Sequence, residues 1–124
     1  MKPAFELLGQ QVTEFLFSTD ADVNTTEIQI EFNPEISTSA DDENIKKYVL
    51  QINIKGSIIL NLKIEGIFKS NQTMKDKEDE DMLFFKIGFA ILFPYARAFI
   101  STTTALATGA ALNLPLVNVE DLFN

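Results

Sequence analysis

The residues that most often do chemistry are scarce in this 124-residue chain. It has no histidine and no cysteine, which removes Ser–His and Cys–His nucleophiles and the common zinc sites. No G-x-x-x-x-G-K-[ST] or G-x-G-x-x-G run occurs, so phosphate-cradling loops are absent too. The 18 aspartates and glutamates could supply a carboxylate pair for acid–base work, but none stands in an apolar motif that would single it out. In the densest acidic run, residues 75–81, the spacing of Asp76, Glu78 and Glu80 approaches a cation loop. It lacks the turn glycine and the distal bidentate glutamate that such a loop needs. Its place just before the apolar run from Met82 fits a solvated helix start, where carboxylates face the positive end of the helix dipole. The sequence predicts no enzyme, no metal site and no cofactor.

Binding remains. A net charge of −8 disfavours nucleic acid, which requires clustered lysine and arginine, and favours basic partners. Eleven phenylalanines with no tryptophan either fill the core or leave rings for a subunit interface or an open groove, because a chain this short buries only about two thirds of its extended surface. The longest apolar stretch, residues 87–100, is cut by Pro94 and Arg97 and is too short for a bilayer, so no membrane insertion is expected. Residues 1–12 lack the apolar core of a signal peptide, and a cytoplasmic location is expected. Asn24-Thr25-Thr26 and Asn71-Gln72-Thr73 match a glycosylation pattern that has no meaning without secretion.

The elements that position these residues follow from periodicity, and the length fits a single domain over residues 1–124. Residues 5–17 form a first strand, with Phe15 and Phe17 on one face and a bulge or break at Gly9-Gln10-Gln11. Residues 27–32 alternate strictly, Ile28, Ile30 and Phe32 against charged or amide residues, and Asn33-Pro34 ends that strand. A mobile polar connection at residues 37–44 follows. Tyr48, Leu50, Ile52 and Ile54 alternate with polar neighbours, then Ile58, Leu60, Leu62 and Ile64 do so after Lys55-Gly56-Ser57, the mark of a hairpin. After the charged linker, residues 82–89 are helical and aromatic-rich. Proline is a poor helix interior and a good first-turn residue, so a new helix is expected from Phe93-Pro94 to Thr108, with Tyr95 and Phe99 on a common face and Gly109 as its stop. Its small residues, Ser101 to Ala105 and Ala107, suit packing on the sheet or on another subunit. Residues 112–119 read as an apolar loop, and residues 120–123 as a last helical turn. Arg97, the one arginine, is read as holding a structural salt bridge at the helix start.

Ile91-Leu92-Phe93-Pro94-Tyr95-Ala96-Arg97, followed by Leu112-Asn113-Leu114-Pro115-Leu116-Val117-Asn118 and Asp121-Leu122-Phe123, resembles the SecB-type protein-export chaperones in order and spacing. Phe93, Pro94, Tyr95 and Arg97 carry the motif, and Gly66-Ile67-Phe68 is similar to the end of that family's sheet. The resemblance implies an α+β fold, a four-stranded antiparallel sheet followed by packed C-terminal helices, assembled as a tetramer. It implies an ATP-independent chaperone that holds unfolded or precursor polypeptides in apolar grooves and passes them to a translocase ATPase. Clustering around the motif makes Phe84, Phe85, Phe89, Leu92, Phe93, Leu112, Leu114 and Leu116 the candidate groove residues. The family docks the basic tail of the ATPase on acids of the outer sheet face. By strand pattern Glu14 keeps one such position, while Ser18 and Asn61 fall where acids are expected, and the terminal helix is shorter. The alternatives are a binding module for one dedicated partner, such as an antitoxin, and a structural oligomer without clients.

Overall fold

The structure, a computed structural model, describes residues 3–19, 28–71, 76–115, 117 and 119–122. They fall into two compact units, Met1–Thr73 and Met74–Asn124. The first is a four-stranded antiparallel sheet of β1 (Phe5–Ser18), β2 (Ile28–Thr38), β3 (Ile45–Gly56) and β4 (Ile59–Ser70), in the order β1-β4-β3-β2. The hairpin of β3 and β4 is its centre, as the alternation predicts. Tyr48, Leu50, Ile52 and Ile54 lie opposite Gly66, Ile64, Leu62 and Leu60, and the seven large side chains in this set are 0–1% exposed. Each such aliphatic side chain contributes roughly 1.5–3 kcal/mol by leaving water. The chain turns after Gly56, whose φ of 137° suits a residue without a Cβ.

Two strand expectations change. β2 does not end at Asn33-Pro34 but runs on to Thr38. Ile30, Phe32, Pro34 and Ile36 face Ile54, Ile52, Leu50 and Tyr48 in unbroken register, and β2 is an edge strand, where a missing N–H is tolerated. β1 carries two register shifts, between Leu7 and Gly9 and between Val12 and Glu14. The first adjoins the weak point at Gly9. The second leaves Thr13 extra, and its hydroxyl donates to the Lys63 carbonyl at 3.4 Å. Each extra residue resets the alternation, so Phe5, Leu7, Val12, Phe15 and Phe17 share the apolar face and Gly9, Gln11, Glu14, Leu16 and Ser18 the other. The connection at residues 39–44 is a tight turn: Asp42 Oδ1 accepts the Asn44 N–H at 2.9 Å, and the Asp42 carbonyl accepts the Ile45 N–H at 3.0 Å.

The second unit holds α1 (Lys77–Thr108) and the short α2 (Val119–Leu122). The acidic run is its solvated start: Asp76 is the N-cap, its carboxylate accepting the Glu78 N–H at 2.9 Å, with Glu78, Asp79 and Glu80 in the first turn. Gly109 closes the far end at φ 81°, its N–H donating to the Ala105 carbonyl at 2.9 Å. Pro94 does not begin a second helix; it lies inside one helix of 32 residues. An interior proline costs about 3 kcal/mol. That cost is outweighed by withdrawing Phe89, Leu92, Phe93 and Ala96 from water, at roughly 1.5–3 kcal/mol for each large side chain. Pro94 and Ala90, whose carbonyl loses its donor, are both exposed, so water can replace the missing bond. Because the helix is continuous, α1 is long and apolar enough to cross a bilayer by length and composition, contrary to expectation; core helices meet the same criterion. Among the terminal residues Phe123 lies outside the described chain.

Candidate functional site

The second half of α1 and the segment that returns beside it form one hydrogen-bonded unit, built by three helical side chains on successive turns. Thr104, buried, donates its hydroxyl to the Ile100 carbonyl at 2.7 Å and accepts the Leu112 N–H at 2.8 Å. Ser101 donates to the Asn113 side-chain oxygen at 3.0 Å. Arg97 Nε donates to the Leu114 carbonyl at 2.9 Å. Further along, Lys86 Nζ meets a Glu120 carboxylate oxygen at 3.0 Å. The chain turns at Gly109 and is strapped to α1 on its way back, with Leu114 buried beneath the strap. The partner of Arg97 among the described residues is thus a backbone carbonyl and not the carboxylate the sequence suggested.

The strap fixes where the candidate groove residues lie. Phe84, Phe89, Leu92 and Leu114 are 0–1% exposed and Phe93 7%. Phe89 and Phe93, one turn apart, stack with ring centroids 5.3 Å apart and planes 12° from parallel. Phe85 and Leu112 are half-buried and present apolar surface; Leu116 lies outside the described residues. Of the motif residues, Pro94 and Tyr95 are exposed and Arg97 half-buried. The buried line of α1 continues through Ala96, Ile100 and Thr104, while Thr102 and Leu106 are exposed, Leu106 at 84%. Sequence reasoning missed Thr104 and Asn113. Nothing marks Thr104 among three consecutive threonines except its place four residues beyond Ile100 on the buried line.

In the sheet unit, Glu14, Ser18 and Asn61 do share the face opposite the apolar one. Gln51, Asn53, Lys63 and Glu65 lie there too, with Asn53 directly opposite Asn61 and Gln51 opposite Lys63. Glu14, Leu16, the three amides and Lys63 line a shallow hollow of about 330 Å³. The charges are largely answered within the sheet: Lys63 lies 3.7 Å from Glu14 and Lys47 3.3 Å from Glu65.

No protein-family model matches the chain, and no curated protein sequence is significantly similar to it. Its fold, however, is that of a SecB-like chaperone. Among solved structures it is similar to the SecB-like chaperone Rv1957 of Mycobacterium tuberculosis, in complex with a ChAD peptide from the HigA1 antitoxin Rv1956. The superposition covers 93% of this chain and 88% of that one, with a TM-score of 0.75 and 12% sequence identity.

Proposed function

We propose that this protein is an ATP-independent, SecB-like chaperone or binding module that holds an extended polypeptide on apolar surface, not an enzyme. The observation that carries the reading is a fold similarity spanning nearly the whole chain to a chaperone solved with a peptide bound. In this reading Phe85 and Leu112, with Leu116, contact the polypeptide, and the buried Phe84, Phe89, Leu92, Phe93 and Leu114 back them. Tyr95, Ala98, Thr102 and Leu106, exposed along α1, meet another copy in a dimer or tetramer. The cytoplasm is the compartment this reading assigns.

The test is dilution of a slowly folding client from denaturant without nucleotide. The protein should keep the client soluble, and Phe85→Ser with Leu112→Ser should lose this while circular dichroism is unchanged. Equal aggregation with and without the wild-type protein removes the general-chaperone reading. Light scattering should give a multiple of the 13.9 kDa chain mass; the single-chain mass alone would remove the assembly.

A second reading, one dedicated partner such as an antitoxin, is favoured by the peptide bound to the similar structure. Co-purification decides between them: many unrelated chains indicate a general holdase, one recurring protein a dedicated module. Delivery to a translocase ATPase is the weakest element. The outer sheet face offers amides where a basic tail would want carboxylates, and exposed ion pairs contribute at most about 1 kcal/mol each. Binding of such a tail should therefore be weak and vanish toward physiological salt.

A further inference from the structure

We propose that the hollow beside Pro94 is a carboxylate-binding site, taking an acidic side chain or the terminal carboxylate of a polypeptide. The hollow is about 270 Å³ and is lined by Pro94, Arg97, Ala98, Ser101 and Asn113. Of its polar side chains, Arg97 and Asn113 keep N–H donors to spare, while Ser101 spends its hydroxyl proton on Asn113. Arg97 spends Nε on the Leu114 carbonyl, which fixes the guanidinium in place and leaves its Nη groups without a partner among the described residues. Asn113 uses its oxygen to accept from Ser101, which directs its NH2 group away from that bond. No carboxylate lines the hollow, whereas Lys47, Lys63 and Lys86 each have one within 3.7 Å. A fixed, half-buried guanidinium beside an amide NH2 matches the two oxygens of a carboxylate, which a mobile ammonium does not. Pro94 and Ala98 supply an apolar rim for the aliphatic part of the ligand. The site does not depend on the client-holding reading above, since none of its lining residues contacts the polypeptide there; it shares Ala98 with the proposed subunit contact and is fastened through the backbone of Leu114.

The chain has one arginine, so its side-chain Nε–Hε gives a single NMR cross-peak. That peak and the Asn113 amide pair are followed during titration with acetyl-Ala-Glu-Ala-amide, its Gln counterpart, acetyl-Ala-Ala-Ala with a free carboxylate, and inorganic phosphate. Saturable shifts of both signals with either carboxylate peptide, at least about tenfold tighter than with the Gln peptide, are expected. Which of the two carboxylate peptides binds more tightly identifies a side chain or a terminus as the source. Arg97→Lys should weaken binding about tenfold although the charge remains. If that variant fails to fold, the wild-type titrations decide alone. Absence of saturable shifts, equal binding of the Gln peptide, saturation by phosphate alone, or full retention by a folded Lys variant each overturns the proposal.

Discussion

Thr104→Val tests the strap at the position where one hydroxyl joins two elements. Valine keeps the branching and nearly the volume of threonine and removes the hydroxyl's bonds, a donation shared between the Ile100 and Ser101 carbonyls and an acceptance from the Leu112 N–H. The Ile100 carbonyl is not orphaned, because it retains its place in the helical ladder. What loses its partner is the Leu112 N–H, which now points at a methyl group beside a residue that is 2% exposed. A fully buried unsatisfied donor costs about 1–3 kcal/mol and this part-buried one somewhat less, against a smaller gain from replacing a hydroxyl by a methyl. A net loss of roughly 1–2 kcal/mol is expected in urea unfolding. Ser101→Ala, which breaks the exposed bond to Asn113, should cost less than about 0.5 kcal/mol, because water replaces the partner. Amide exchange separates the ways of losing stability. If the returning segment lifts to reach water, Leu112 and its neighbours exchange faster while the helix core does not. A Thr104→Val variant within about 0.5 kcal/mol of wild type, with Leu112 exchange unchanged, would refute the strap as an energetic unit.

Three further outcomes follow from single positions. Pro94→Ala restores a donor to the Ala90 carbonyl on an exposed face, so it should stabilise the protein by up to about 3 kcal/mol in denaturant unfolding; destabilisation would show that the proline is needed for packing. Gly109→Ala should cost roughly 1–2 kcal/mol by the same measurement: at φ 81° only the backbone is strained, since nothing lies within 4 Å of the new Cβ, and no change would mean another C-cap replaces it. Burial of Tyr48 raises its phenol well above the usual range. The stability this linkage carries is complete below the unfolded-state pKa of about 10 and is lost above it at up to about 1.4 kcal/mol per pH unit. Wild type should lose stability faster than Tyr48→Phe above that pH, and parallel curves would refute the assignment.

The sheet was legible wherever alternation was strict and misread wherever a local breaker was given too much weight. Strands β3 and β4 follow directly from Tyr48–Ile54 and Leu60–Ile64, because both faces of a central strand impose the period. Pro34 stops a strand only when its N–H is needed, and the need depends on whether the strand is central or at an edge. Strand order is a tertiary fact that no local pattern reports. Pro94 is the same error in a helix: its local cost is fixed, but the compensation comes from Phe89, Leu92, Phe93 and Ala96 together. Arg97 was singled out by its rarity, and its motif pointed to the fold that the structure shows. Its true partner could not be read, because a backbone carbonyl has no signature in the sequence.

That last point bears on how a fold can be shared at 12% identity over nearly a whole chain. The buried face of the sheet asks only for apolar side chains at alternate positions, and Ile, Leu, Val and Phe exchange there with modest repacking. The strap makes a different demand. Two of its three bonds run from a helical side chain to the backbone, at the Leu112 N–H and the Leu114 carbonyl, and every non-proline residue supplies those groups. The returning segment can therefore change nearly all its side chains and remain fastened, provided the helix keeps a hydroxyl and a guanidinium at the right turns. In the reading proposed above, specificity then resides chiefly in what the segment displays at the half-buried Leu112, while Asn113 both fastens to Ser101 and lines the hollow beside Pro94. In the proposed reading, a loop anchored mainly through its backbone is free to change what it binds without unfolding its anchor.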